Sequence, residues 1–151
     1  MIYNKNSENI NFNKLKLFLS DVDGTLTDGY TFYSHKGELL KRFSHRDGRG
    51  FYLLKTQGIK TGFITGEDTL IVKKRAEKLK IDHCFLGVDD KLNTISKYFC
   101  GSRDNIQLSE IAFIGDDTND LELMNNVGFS FAVNNAEEEL VRSADFICDS
   151  K

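Results

Sequence analysis

The run KLKLFLSDVDGTLTDG, residues 14–29, constrains this chain more than any other segment. An apolar stretch, Leu15–Ser20, gives way at Asp21 to an acidic, glycine-bearing loop, and the carboxyl end of a strand is where open α/β sheets bind ligands. Asp21 and Asp23 lie two apart and cannot both ionise cheaply unless a cation or a shared proton relieves their repulsion. A second apolar stretch ends the same way in IAFIGDDTND, with Asp116 and Asp117 after it and Asp120 one helical turn beyond Asp116. Four or five acids therefore converge on one sheet edge. Such hard oxygen donors suit Mg²⁺, which takes few carboxylates and keeps several waters while contacting phosphate. Asp117 or Asp28 alone would read equally well as a cap or turn residue. The two acidic runs together, each after an apolar strand, would not.

Two further segments sit where a phosphate would need them. Thr65 and Gly66 follow the apolar run KTGFI and are expected to open a helix, so that a hydroxyl and free backbone N–H groups can hold an anion. Lys91 follows Gly87-Val88-Asp89-Asp90, starts the next helix and supplies a point charge. Singly, Thr65 is an ordinary cap and Lys91 an ordinary surface lysine. In this order after successive strands they read better as a phosphate clamp.

Short apolar runs alternate with longer amphipathic stretches, which predicts β-α units in a parallel sheet with helices on both faces. Strands are expected at Leu15–Ser20, Lys60–Ile64, His83–Leu86, Ile111–Ile114, Phe129–Val133 and Phe146–Cys148. Helices are expected at Gly50–Thr56, Asp68–Leu79, Lys91–Phe99, Asp120–Asn125 and Ala136–Arg142. In the third of these, Leu92, Ile95, Tyr98 and Phe99 recur at helical spacing and should pack inward. TFYS and ELLKRF, flanking HKG with Gly37 at the turn, predict a β-hairpin directly after the first strand.

At 151 residues with 40% hydrophobic content, a single domain over 14–151 is expected, preceded by an Asn-rich, frayed segment at 1–13. No signal-peptide pattern and no apolar run of membrane-spanning length is present, so the chain reads as soluble and cytoplasmic. A net charge of -3 gives no general attraction to nucleic acid or an anionic membrane. Cys84, Cys100 and Cys148 are odd in number and lack a C-x-x-C pair, which suggests three buried thiols in place of disulfides or a zinc site.

DVDGT, ITG, Lys91 and GDDTND resemble, in order, the four motifs of the haloacid dehalogenase superfamily of phosphotransferases, over about residues 14–148. The resemblance implies a three-layer Rossmann-like fold and an Mg²⁺-dependent phosphatase. It implies that Asp21 attacks phosphorus and ligates the metal. Asp23 would act as acid and then base and ligate through its backbone carbonyl, and Asp116 would be the third ligand. Asp117, Asn119 and Asp120 would support the metal site, and Thr65 and Lys91 would hold the phosphoryl oxygens. The second acid in D-x-D marks phosphatases of this superfamily, as distinct from its dehalogenases.

Many members carry an inserted cap domain. Here Thr65 lies 44 positions after Asp21 and Lys91 lies 26 after Thr65, which leaves no room for one. A capless chain with a hairpin after DVDGTLTDG resembles the 3-deoxy-D-manno-octulosonate 8-phosphate (KDO-8-phosphate) phosphatase subfamily, whose members are tetramers with active sites at subunit interfaces. RDGRGFYLLKTQGIK, with Asp47 and Gly48 in a loop before a helix, is also typical of it. Octulosonate enzymes usually have Arg after the second-motif Gly, where this chain has Glu67. ITGEDTLIVKKRAEKLKID is more similar to the 2-keto-3-deoxynononate 9-phosphate (KDN-9-phosphate) phosphatase branch. That likeness implies a substrate-binding set of Gly66, Glu67 and, from a neighbouring subunit, Arg75 and Lys78. The expected substrate is thus the terminal phosphate of a nine-carbon keto sugar acid, with KDO-8-phosphate the alternative. Relatives usually continue past ADFICDSK into a Gly-rich tail that reaches a neighbouring site.

Two other classes fit the motifs less well. A non-catalytic assembly module would show degenerate motifs, and all four are intact. A phospho-accepting receiver domain would place its acceptor Asp after a middle strand, not within D-x-D-G-T after the first.

Overall fold

The computed structural model describes residues 2–3, 11–99 and 101–149. Its centre is β2 (Leu17–Ser20), paired in parallel with β5 (Lys60–Ile64) on one side and β7 (Ile111–Gly115) on the other. Side chains alternate across a strand, so Leu17 and Leu19 enter one apolar layer while Phe18 enters the other. Both faces are covered, which is why these strands read as nearly continuous apolar runs.

From β5 the sheet extends to β6 (His83–Phe85), and from β7 to β8 (Phe129–Ala132) and β9 (Phe146–Ile147), all parallel. A short β1 (Ile2–Tyr3) adds antiparallel to β9. The order is β1-β9-β8-β7-β2-β5-β6. Helices α1 (His45–Thr56) and α2 (Leu70–Leu79) carry Phe51, Val72 and Ala76 into the Phe18 layer with Phe63. On the other face lie α3 (Lys91–Phe99), α4 (Leu121–Met124) and α5 (Glu138–Ser143), with Ile95, Phe99, Leu123 and Leu140 buried. The fold is the three-layer α/β arrangement that the sequence predicts. The chain runs outward from β2 through β5 to β6, then crosses back to β7 on the other side of β2. That reversal opens a crevice at the carboxyl ends of β2 and β7.

The expected hairpin is present as β3 (Thr31–Ser34) and β4 (Gly37–Lys41). Its turn is His35-Lys36, and Gly37, at φ +107°, opens β4 opposite Ser34.

Several boundaries differ from expectation. Helix α1 starts at His45, five residues early, because Ser44 caps it by accepting from the Arg46 N–H at 3.0 Å. Asp47 and Gly48 are therefore in its first turns and not in a loop. Gly48 fits there because α2 packs close: a Cβ would lie 3.0 Å from Leu79 Cδ2. Helix α2 starts at Leu70, capped by the Thr69 hydroxyl, and not at Asp68. Tyr98 is half exposed although its ring meets Phe85 edge-on at 4.8 Å.

Cys84 is exposed on the outward side of edge strand β6 and Cys148 is half-buried, so neither is a core thiol. Cys100 and most of the segment expected to fray lie outside the described residues. Within that segment Phe12–Lys14 forms a 3-10 turn that lays the Phe12 ring on Phe129 at 5.0 Å. No helix among the described residues is long and apolar enough to cross a membrane.

Candidate active site

Three carboxylates meet at the crevice. Asp21 is the first residue past β2, its backbone N–H donating to the Ile114 carbonyl at 3.0 Å, and Asp116 is the first past β7. Asp21, Asp116 and Asp120 each place an oxygen within 4.8 Å of the others. Glycines permit this crowding. At Gly24, with φ +92°, a Cβ would lie 1.8 Å from Asp116 Oδ2, and at Gly115 one would lie 2.3 Å from Asp120 Oδ2.

The three acids are not equivalent. Asp120 is fully buried and its oxygens are committed: Oδ1 accepts from Lys91 Nζ, and Oδ2 accepts from the Asp116 N–H at 3.0 Å and the Asp117 N–H at 3.4 Å. It braces the loop and the lysine. Asp116 has one oxygen held by the Thr25 hydroxyl at 3.1 Å. Asp21 accepts from Lys91 Nζ at 2.6 Å through Oδ1, while its buried Oδ2 has no hydrogen-bond partner. A buried carboxylate oxygen left bare is costly. A hard divalent cation beside Asp21 and Asp116 removes that cost, and the all-oxygen donor set fits Mg²⁺.

Electrostatics point the same way. Burial pushes the Asp21 carboxyl well above its usual range; Lys91 pulls it back, and Asp120 and Asp116 raise it further. Burial, then Asp120, raises Asp116 to about 6. Burial works against the Lys91 ammonium, but Asp21 and Asp120 outweigh it and hold Lys91 above its ordinary value. With no cation present, the cluster carries more negative charge than it can easily bear.

Thr65 follows β5 and is buried, donating its N–H to the Phe85 carbonyl at 3.0 Å. It does not open a helix, as the sequence suggests: its hydroxyl accepts from the Glu67 N–H at 3.2 Å, making a local turn that delays α2. Asp21, Asp23, Thr65, Gly66, Glu67, Asp116, Asp117 and Asn119 together line a cleft of about 180 Å³. Asp117 caps the Thr118–Asp120 turn, its Oδ1 accepting from the Thr118 N–H at 2.6 Å.

Arg75 and Lys78 are not in that cleft. Arg75 donates to the Ser44 carbonyl at 2.6 Å and lies over the Phe43 ring, while Lys78 is exposed on α2. Lys41, which no sequence motif marks, meets both oxygens of Asp23 at 2.8 and 2.7 Å. Burial pulls its ammonium down, but Asp23 and then Glu38 more than offset that and raise it. In ELLKRF nothing local separates Lys41 from its charged neighbour Arg42. Thr25 and Thr27 lay inside the motif without a distinguishing signal of their own.

The family described as haloacid dehalogenase-like hydrolase is matched over residues 87–151. The 3-deoxy-D-manno-octulosonate 8-phosphate phosphatases of Yersinia pestis and Escherichia coli K12 are each 35% identical over 133 residues, covering 88% of this chain and 70% of theirs. Among solved structures, the Moraxella catarrhalis phosphatase of that name, in complex with magnesium ion, phosphate ion and KDO, superposes with a TM-score of 0.85 at 38% identity, covering 91% of this chain and 80% of that one. The cobalt-bound Haemophilus influenzae enzyme gives 0.86 at 32% identity, covering 92% and 80%. With that identity across most of both chains, and with the same fold, this chain is a phosphoric monoester hydrolase belonging to the 3-deoxy-D-manno-octulosonate 8-phosphate phosphatase family of haloacid dehalogenase-like hydrolases.

Proposed function

We propose that this chain hydrolyses 3-deoxy-D-manno-octulosonate 8-phosphate, using Mg²⁺ and an aspartyl-phosphate on Asp21. The observation that carries the chemistry is the buried, unpartnered Oδ2 of Asp21, a carboxyl group whose other oxygen meets Lys91 and which clusters with Asp116 and Asp120. Attack by an Asp21 oxygen forms an O–P bond as the bond to the leaving oxygen breaks, and Asp23 delivers a proton to that oxygen. Asp23 then takes a proton from the water that hydrolyses the acyl phosphate, returning free Asp21. Two displacements replace one attack by a poorly placed water.

Lys91 and Thr65 hold phosphoryl oxygens. Asp21, Asp116 and the Asp23 carbonyl hold the cation, and Asp117, Asn119 and Asp120 steady that group. When bound, Mg²⁺ offsets the charge of a phosphate dianion meeting a carboxylate.

The substrate reading departs from the nine-carbon acid expected from Glu67, because the relatives matched here are octulosonate phosphatases. KDN-9-phosphate stands as the second reading, favoured by the exposed Glu67 carboxylate on the cleft wall, which suits sugar hydroxyls. A cleft of about 180 Å³ is small beside the roughly 300–1,000 Å³ usual for ligand pockets. That supports a site completed by another copy in a homotetramer, with Arg75 and Lys78 approaching a substrate carboxylate from the neighbour.

The test is Mg²⁺-dependent phosphate release from KDO-8-phosphate, KDN-9-phosphate and p-nitrophenyl phosphate. The highest kcat/KM is expected for the octulosonate, with none of the three turned over after Asp21→Asn. Preference for the nononate would overturn the substrate reading, and no release from any of them would overturn the function.

A further inference from the structure

Strand β4 has one buried side chain, and it is a lysine. Leu39 and Leu40 are exposed, while Lys41 lies beneath the hairpin with its side chain 1% exposed. If this position served only to anchor the hairpin, an apolar side chain would do so without the cost of burying an ammonium. Lys41 instead meets both oxygens of one carboxylate, Asp23, at 2.8 and 2.7 Å, with Glu38 Oε1 at 3.4 Å. The Thr27 hydroxyl stands 3.5 Å from Asp23 Oδ1, one of the two oxygens that Lys41 meets, and is itself fixed by accepting from the Gly24 and Gly29 N–H groups at 3.2 Å each. Asp23 is on the cleft wall and its side chain is 28% exposed, so without these contacts it would be free to change rotamer.

We propose that Lys41 is a positioning residue for the reaction: its ammonium holds Asp23 at the cleft and ties it to the hairpin, through one carboxyl oxygen while the other carries the proton to be delivered and through both once Asp23 is ionised. The proposal rests on the acid–base reading of Asp23. Any displacement of β3 and β4 moves Lys41, and with it the group that must reach the leaving oxygen. A proton donor misplaced by an ångström loses most of its effect.

The test uses the leaving group. The alkoxide leaving KDO-8-phosphate needs a proton, whereas p-nitrophenolate leaves without one, and kcat/KM reports the steps through phosphoryl transfer. Lys41→Met is expected to lower kcat/KM for KDO-8-phosphate by about 100-fold and for the aryl ester by less than about threefold. First-turnover release of p-nitrophenolate, which precedes the step that needs Asp23 as base, thus verifies that the variant is folded. Lys41→Arg should restore much of the sugar-phosphate rate, and Asp23→Ala should show the same leaving-group signature as Lys41→Met. Equal losses on both esters in Lys41→Met, with the signature present in Asp23→Ala, would overturn the Lys41 proposal alone. Absence of the signature in Asp23→Ala would overturn the acid–base reading and the Lys41 proposal with it.

Discussion

Asp116 shows how one residue can make the site sensitive to pH. Burial and Asp120 raise it to about 6, whereas an unfolded Asp titrates near 4. The folded, metal-free protein therefore binds this proton more tightly than the unfolded chain does. The resulting stability is fully present below about pH 4 and is lost as pH rises through about 6. Asp21 is displaced in the same direction. Melting of the metal-free protein should accordingly occur at lower temperature at pH 7 than at pH 5. Added Mg²⁺ should reverse that trend, because a cation stabilises the ionised carboxylates that destabilise the empty site. Calorimetric scans with and without Mg²⁺ across this range read both effects. A metal-free melting temperature that rises from pH 5 to 7, with Mg²⁺ having no effect, would contradict this account of the cluster.

At the scale of elements, the hairpin stands apart. Phe32 and Leu40 face each other across β3 and β4 and are 60% and 46% exposed, and Tyr30, Tyr33 and Leu39 are exposed as well. Apolar surface gathered on one element marks an interaction site. In the homotetramer proposed above, a second copy of the chain would cover it. Light scattering should find four chains per particle, and Phe32→Asp with Leu40→Asp should give smaller particles with reduced turnover. A wild-type monomer with full activity would rule out a shared site. The hairpin was legible from its alternating residues and Gly37, as β5 and α3 were from their apolar periods. The starts of α1 and α2 were not. Gly48, read as a loop residue, argued against helix at the first, and the cap at Thr69, three residues past Gly66, was hidden among several capping candidates. Asp21, Asp116 and Asp120 could be grouped from sequence because two strands deliver them. Lys41 could not, because its partner Asp23 lies across a hairpin whose fold onto the loop no local pattern encodes.

For the whole molecule, the reversal of strand order around β2 brings the three catalytic segments together: the loop after β2, the turn after β5 and the loop after β7. The start of α3 then carries Lys91 into the middle of them. In the proposed mechanism this arrangement provides a fixed carboxylate in place of a mobile nucleophile, so that phosphorus passes through Asp21. Rapid acid quench of the Mg²⁺-loaded protein with KDO-8-phosphate labelled on phosphorus, followed by peptide mapping, tests it most directly. The expected result is transient label on the peptide containing Asp21, absent in Asp21→Asn. Label on another residue, or undiminished phosphate release by Asp21→Asn, would contradict it.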